Sequence, residues 1–194
     1  MATRNAIRYF TFEQKKRFLK ALADSKKGWR DYFLFSLMLN TGLRLSEAIG
    51  LNVGDVFNGY SAKEYLEVNG KGDRIRSIPL NKAIQEHIET YVHQKKHRKE
   101  EAGLKDPLFI SRNNSRITPR AVQFNFDIWV KEAGIDGKFS PHCLRHTVGT
   151  ELMKKTNNIR KVQEFLGHKF VSTTQIYTGV TKEDLKECSD LLSM

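Results

Sequence analysis

The chain has 194 residues, and its 33 lysines and arginines against 22 acidic residues leave a formal net charge of +11. This length fits one domain with a single hydrophobic core. Such an excess of positive charge is typical of a protein with a polyanionic partner, most often nucleic acid, although a solvated basic surface is the plainer alternative. The first residues lack the apolar segment of a secretory signal, and no apolar run is long enough to span a bilayer. Cys143 and Cys188 lie far apart, which fits free thiols in a reducing cytosol.

Residue patterns in the first part of the chain predict helices. Thr11 with Gln14 three residues later is typical of a capping box, and it opens the first helix. Residues 29–39 are apolar nearly all round, which predicts a second helix at the centre of the core. Residues 40–42, Asn-Thr-Gly, end that helix, and a further helix carries residues 44–48.

The pattern then changes to a period of two. Residues 64–68 and 74–78 alternate between apolar and polar side chains, which predicts two strands. The stretch Asn69-Gly70-Lys71-Gly72-Asp73 joins them, and its glycines and Asn/Asp residues favour a β-hairpin. Asn81 then caps another helix, which ends in a charged segment.

The rest of the chain returns to helices. A short strand is predicted over residues 108–111, and Thr118-Pro119 starts a helix that Gly134 ends. Four more helices are predicted near residues 141–154, 158–166, 172–178 and 181–192. The expected fold is therefore mostly α with a small antiparallel β-sheet (α+β).

The segment LGHKFVSTTQIYTG raises the question of chemistry, because it places His168 nine residues before Tyr177. A free tyrosine has a pKa of about 10, so only about one molecule in 10³ is phenolate near neutral pH. To act as a nucleophile it needs a nearby base or a positive field. The ordinary alternative is a tyrosine that packs its ring inside and leaves its hydroxyl outside.

Two arginines could supply that field. Arg145 lies three residues after His142, on one helix face just after a proline, and Arg44 follows a glycine break. Because a guanidinium offers two donors to two oxygens, two arginines from separate helices could clamp one phosphodiester. Lys71 on the hairpin turn could reach a leaving oxygen. The plainer alternatives are that Arg44 pairs with Glu47 and that Lys71 is solvated.

Two other readings of the same region concern zinc and a thiol nucleophile. His142 and His146 have a zinc-friendly i, i+4 spacing, but there is no HExxH pattern and no obvious third ligand. We therefore interpret His146 as structural, with its ring bonded inside the fold. Cys143 is interpreted as a small buried apolar residue. No metal and no cofactor are expected.

Four stretches, TGLRLSEAIGL, NGKGDRIRSIPL, PHCLRHT and LGHKFVSTTQIYTG, resemble the signature boxes of the tyrosine recombinases, also called phage-type or lambda-type integrases. The resemblance runs from about Tyr9 to the C-terminus. It implies the fold of their catalytic domain. It also implies that Arg44 and Arg145 bind and polarise the scissile phosphate, that His168 donates to a non-bridging oxygen, and that Glu47 orients the site.

The remaining roles implied by the resemblance concern bond making and breaking. Tyr177 would attack phosphorus and form a 3′-phosphotyrosyl bond, Lys71 would act as general acid for the departing 5′-oxygen, and His142 would serve as a base. The expected function is site-specific DNA recombination without a metal, for a mobile genetic element. The alternatives are a type IB topoisomerase and a non-catalytic DNA-binding module of the same fold.

The resemblance also sets expectations for organisation and partners. We expect a flexible leader over residues 1–8 and a catalytic domain over residues 9–194, without the family's N-terminal core-binding domain. Double-stranded DNA is the expected partner, in the cytoplasm at the nucleoid, with no membrane. The C-terminal helix, residues 181–192, either packs on its own domain or docks into a neighbouring protomer during self-association on DNA.

Overall fold

The computed structural model describes residues 8–69, 75–167 and 182–192. Across these ranges the chain forms helices and one two-stranded antiparallel sheet, which confirms the expected fold class. The helices are α1 (Phe12–Ala23), α2 (Trp29–Thr41), α3 (Leu45–Gly50), α4 (Val53–Val56), α5 (Lys82–His97), α6 (Pro119–Glu132), α7 (His142–Thr156), α8 (Ile159–Leu166) and α9 (Lys182–Asp190). The strands are β1 (Tyr65–Asn69) and β2 (Ile75–Pro79).

Helix α2 lies at the centre of the core, as its composition predicted. Most of its residues are buried, and it packs against α1, α5 and α7. Aromatic rings from four parts of the chain meet on one side of it: Phe10, Phe18, Phe35 and Phe126. Burying rings of this size is the main favourable contribution that such a core can make.

Local signals fix the ends of the outer elements. The capping box at α1 is present, because the Gln14 amide donates to Thr11 Oγ1 (3.2 Å) and the Thr11 amide donates to Gln14 Oε1 (2.9 Å). The side chain of Asn81 caps α5 by accepting from the Ile84 amide. In the hairpin, the register pairs Asn69 with Ile75.

Three elements differ from the sequence-based expectation. Residues 108–111 form no strand; the ladder there is limited to isolated bridges, such as Ile110 with Arg116. Helix α4 was not predicted, because four residues are too few to show a period. Arg44 is the N-cap of α3 in extended conformation and lies just outside the helix that was expected to carry it. The predicted helix over 172–178 lies outside the described residues.

Helix α9 packs on its own domain. Cys188 and Leu192 are buried, and the Ser189 hydroxyl donates to the Pro79 carbonyl at the end of β2 (2.7 Å). The Asn81 side chain donates to both Ser189 O and Asn40 Oδ1. The helix therefore makes the expected intramolecular contacts, and its docking into a neighbouring protomer stays a prediction. No helix in the described part of the chain is long and apolar enough to cross a membrane.

Candidate active site

Arg145 is held inside the protein by main-chain oxygens. Its side chain extends from the first turn of α7 and the residue is only 3% exposed. Nη1 donates to Gly42 O (2.6 Å) and Nη2 donates to Leu166 O (2.5 Å). These carbonyls belong to the C-terminal ends of α2 and α8, where the helix dipole is negative. Arg145 is thus oriented without losing charge to a carboxylate.

The backbone conformation at Gly42 favours glycine. Its φ is +62°, in the left-handed region that ends α2. A Cβ placed there would lie 2.4 Å from Leu166 Cδ2. The two helix ends that hold Arg145 therefore meet across a contact so close that even a methyl group at Gly42 would require Leu166 to move.

Arg44 is held in a different way, by an acidic side chain. As the N-cap of α3, it lies three residues before Glu47, whose carboxylate reaches back to the Arg44 amide (Oε2, 2.8 Å). Arg44 Nη1 also donates to Glu47 Oε1 (2.7 Å). The Arg44 side chain remains 37% exposed, so the rest of its guanidinium is open to a ligand. The expected pairing of Arg44 with Glu47 is present.

A third arginine completes this arrangement. Arg76, on β2, donates from Nη1 to Glu47 Oε1 (3.0 Å) and from Nη2 to Glu47 Oε2 (2.7 Å). Burial of the Glu47 carboxylate would raise its pKa, but the hydrogen bonds from Arg76 and from the Arg44 amide, with the charge of Arg76, outweigh burial and lower the pKa to about 2. Glu47 is therefore ionised at neutral pH.

These side chains share one positive field. Burial and then the charges of Arg44 and Arg76 lower the pKa of Arg145 to about 10, although it stays protonated at neutral pH. Partial desolvation, followed by the charges of Arg145 and Arg44, also lowers the pKa of His142. Its imidazole is thus neutral near pH 7, which is the form that can accept a proton.

The neighbouring side chains fit structural roles. His146 is half-buried, and its ring meets that of His142 edge to face at 4.7 Å. Cys143 is buried, and that burial raises the pKa of its thiol to about 12. Among residues 8–69, 75–167 and 182–192, no three His, Cys, Asp or Glu side chains are grouped as metal ligands would be.

Of the expected site residues, the structure brings together Arg44, Glu47, His142 and Arg145. Lys71, His168 and Tyr177 lie outside the described residues.

The sequence neighbours of two of these residues, Lys71 and His168, are informative. Asn69 and Ile75, which flank the segment of the sequence that contains Lys71, are paired directly across the hairpin that carries Arg76. Gly167, immediately before His168, ends α8 with φ +67°, and a Cβ there would lie 2.7 Å from Arg76 Cδ.

Arg76 was missed at the level of sequence, although a signal was available. It lies two residues before the buried Ile78, so the period of two places both side chains on the inward face of β2, where Arg76 is paired with Val68. An arginine on the buried face of a strand needs a partner, and that need could have been recognised. Its partner could not, because Glu47 lies 29 residues away.

Comparisons with known proteins identify the family of the chain. The model of the phage integrase family matches residues 8–184. The tyrosine recombinase XerC of Caldanaerobacter subterraneus subsp. tengcongensis is 39% identical over 181 residues, which cover 92% of this chain and 49% of the relative. The tyrosine recombinase XerD of Lacticaseibacillus casei is 33% identical over 169 residues, covering 86% of this chain and 57% of the relative. The chain thus spans about half the length of these relatives.

A solved structure supports the same assignment. The pre-cleavage complex of the XerH site-specific recombinase with its difH substrate superimposes with a TM-score of 0.72 at 26% sequence identity, and it covers 97% of this chain and 55% of that chain. Family model, relatives and fold therefore agree: the chain belongs to the phage integrase family, the tyrosine recombinases.

Proposed function

We propose that this chain is the catalytic domain of a site-specific DNA recombinase that cleaves and rejoins DNA strands through Tyr177, without a metal ion. The observation that carries the proposal is the convergence of Arg44 and Arg145 from separate helix ends, one half-exposed and one fixed by two carbonyls. In phosphoryl transfer, the transition state carries negative charge on non-bridging oxygens, and preorganised cations stabilise it. Two arginine forks are suited to these oxygens.

The proposed reaction assigns each remaining step to one residue. The Tyr177 oxygen attacks phosphorus as its proton passes to neutral His142, the bond from phosphorus to the 5′-oxygen breaks, and Lys71 donates a proton to that oxygen. Arg44, Arg145 and His168 bind the non-bridging oxygens. The product is a 3′-phosphotyrosyl ester and a free 5′-hydroxyl. A 5′-hydroxyl from another strand then reverses the sequence, so rejoining needs no ATP.

The described residues support these assignments where they adjoin the undescribed ones. The chain leaves α8 at Leu166, whose carbonyl is bonded to Arg145, and it reaches His168 two residues later. In the sequence, Lys71 lies between the two strands of the hairpin, and the second strand carries Arg76 into the same cluster. The whole catalytic set is therefore proposed to meet at the Arg44–Arg145 cluster.

The test is covalent capture on DNA. A pool of duplexes with a bridging 5′-phosphorothiolate between randomised arms is incubated with the chain at low salt, where phosphate contacts are strongest, in the presence of EDTA. We expect an adduct that survives denaturation and is absent in Tyr177→Phe. No adduct from any sequence of the pool would contradict the proposal. Salt-sensitive binding without an adduct indicates the non-catalytic module, and relaxation of a supercoiled plasmid without a captured site indicates the topoisomerase.

The role of Lys71 has its own test. A thiolate leaves without a proton, whereas an alkoxide needs one. Lys71→Ala should therefore cleave the sulfur-bridged form of a captured duplex nearly as fast as the unaltered chain, while cleavage of the oxygen-bridged form falls by a factor of order 10². An equal loss on both forms would remove Lys71 from the acid role.

Self-association and biological setting are further parts of the proposal. We propose that copies of the chain assemble on DNA, and that α9 exchanges its intramolecular contacts for contacts with a neighbour. Deleting residues 181–194 should then weaken assembly of several subunits on a captured duplex, measured by sedimentation; unchanged assembly would contradict it.

The mobile-element origin and the nucleoid location stay predictions. They are checked by whether captured sequences match the ends of an element and by microscopy.

A further inference from the structure

Glu47 poses an electrostatic difficulty for a phosphate site. It orients Arg44 through two hydrogen bonds, one from the guanidinium and one from the main-chain amide. A carboxylate that close also cancels the charge of Arg44, because opposite charges a few Å apart screen each other's field at a third position. Arg44 and Glu47 alone would form a neutral pair, which stabilises the negative charge of a phosphoryl-transfer transition state poorly.

Arg76 offsets this cancellation. Its two terminal nitrogens bond both carboxylate oxygens, so that Glu47 accepts four hydrogen bonds in all. With Arg76 the cluster carries a net positive charge again. The Arg76 side chain is 12% exposed, compared with 37% for Arg44, so Arg76 stays behind the carboxylate while Arg44 faces outward.

The position of Arg76 is not one that stability alone favours. Its Nε is buried and has no hydrogen-bond partner among the described residues. A buried donor without an acceptor costs about 1–3 kcal/mol. The terminal-nitrogen geometry that leaves Nε unpaired is also the one that fixes both oxygens of Glu47, and the Arg76 side chain fills the space beside Gly167.

We infer that Arg76 is a positioning residue of the phosphate site: it fixes the Glu47 carboxylate and balances its charge, so that Arg44 is held in place and the site keeps the net positive charge that stabilises the transition state. The inference rests on the proposed function. Arg76 itself does not touch the reacting atoms; it acts through Glu47 on Arg44.

The test compares five variants, of which Glu47→Gln alone removes only the carboxylate charge. Arg76→Met removes the charge and the hydrogen bonds at similar length, and Arg76→Lys keeps the charge without the fork. The double variant Arg76→Met/Glu47→Gln also removes the unbalanced carboxylate. Arg116→Met is the matched control, because Arg116 is a half-buried arginine that bonds Ile49 O, Leu51 O and Asn52 Oδ1 near the same helix but not Glu47.

The first measurement separates DNA binding from cleavage. On a captured duplex with saturating protein, adduct formation should slow by a factor of about 10–100 in Arg76→Met, while the Kd of the duplex changes less than about threefold. Arg76→Lys should recover part of the rate. The double variant should cleave within about threefold of Glu47→Gln alone, because the two residues act as one unit. Arg116→Met should lower Tm by a similar amount but cleave near the unaltered rate.

The second measurement needs no DNA. In the chain labelled with ¹³C at glutamate carboxyls, Glu47→Gln identifies the resonance of Glu47. We expect no titration of that resonance above pH 4 in the unaltered chain and a clear rise of its pKa in Arg76→Met, since burial remains while the main opposing contacts are lost.

The outcomes distinguish the two proposals. An adduct in the unaltered chain with normal cleavage by Arg76→Met overturns the role of Arg76 and leaves the function standing. Equal losses of rate in Arg76→Met and Arg116→Met also overturn it, because they indicate a merely structural role. No adduct in the unaltered chain overturns the function; Arg76 is then judged by the titration, and an unmoved Glu47 pKa rejects it.

Discussion

The two arginines of the site are held by opposite kinds of partner. Arg145 is buried and bonded to two neutral carbonyls at helix ends, whereas Arg44 is half-exposed and bonded to an ionised carboxylate. The carbonyls leave the charge of Arg145 intact, but they demand an accurate fit of main chain. The carboxylate is easily supplied by one side chain, but it requires a second cation, Arg76, to keep the site positive. Main-chain support is therefore insensitive to pH and salt, and ionic support is not.

The largest expected difference comes from replacing each of the two arginines with lysine. Arg145→Lys should lower adduct formation by a factor of order 10², because a single ammonium cannot bond both carbonyls and still present two donors to phosphate. It should also cost about 1–3 kcal/mol of stability through an unpaired carbonyl. Arg44→Lys should cost about 0–1 kcal/mol of stability, since Arg44 forms a partly exposed ion pair with Glu47. Urea denaturation and single-turnover capture measure both; equal stability losses would contradict the comparison.

Gly42 tests the main-chain support directly. Gly42→Ala should destabilise the chain by about 1–3 kcal/mol, because alanine is strained at φ +62° and its Cβ meets Leu166. Cleavage should fall with it, since Gly42 O holds Arg145. Gly50→Ala is the matched control: a Cβ there has no neighbour within 4 Å, and stability should be unchanged or rise by up to about 1 kcal/mol. Urea denaturation decides, and similar losses at both glycines would count against the described contact.

Acid should weaken the ionic support that Glu47 gives to Arg44, but not the main-chain support of Arg145. The folded-state pKa of Glu47, about 2, lies below its unfolded value of about 4.3, so the ionised carboxylate stabilises the fold above that unfolded value. This contribution, of order 2–3 kcal/mol, is lost as pH falls toward 2. The stability difference between the unaltered chain and Glu47→Gln should therefore be constant above about pH 5 and shrink below it. The loss caused by Gly42→Ala should be the same at pH 7 and pH 4.

The smallest effect is expected at the surface of α9. Lys161 bonds Asp184 and Glu187 at 2.8 Å each, and these contacts raise its pKa, but the ammonium is exposed to solvent. Lys161→Met should lower Tm only slightly, and 1 M NaCl should remove the difference, because salt screens exposed pairs. A large or salt-independent fall in Tm would show that α9 depends on this contact more than on its buried face.

The elements that the sequence predicted well are those with local causes. Thr11 and Gln14 cap each other within one turn, and the apolar run of α2 needs no knowledge of its neighbours to be assigned to the core. The hairpin followed from its turn residues and from the period of two, with strand ends correct to within a residue. The strand prediction for residues 108–111 was wrong, because extended backbone becomes a strand only when a partner strand lies alongside.

Four of the expected site residues lie together in the structure, but their arrangement could not be predicted from the sequence. Arg44, Glu47, His142 and Arg145 were found from short motifs, and the structure brings them together. That Arg145 would bond Gly42 O and Leu166 O depends on three helices meeting, with partners 103 and 21 residues away. No local pattern carries such distances. Arg76 was overlooked for the same reason, since its meaning comes from Glu47.

The hydrogen bonds from Arg145 to two helix ends have a mechanical consequence. Its guanidinium joins the last turn of α2 to the last turn of α8, and the amides of Gly42 and Gly167 close these turns by bonding Met38 O and Glu164 O. An anion drawn to Arg145 would pull on both turns at once. Hydrogen–deuterium exchange at these two amides should then slow together when DNA is added. Such slowing would indicate that a phosphate of the DNA backbone has bound at Arg145.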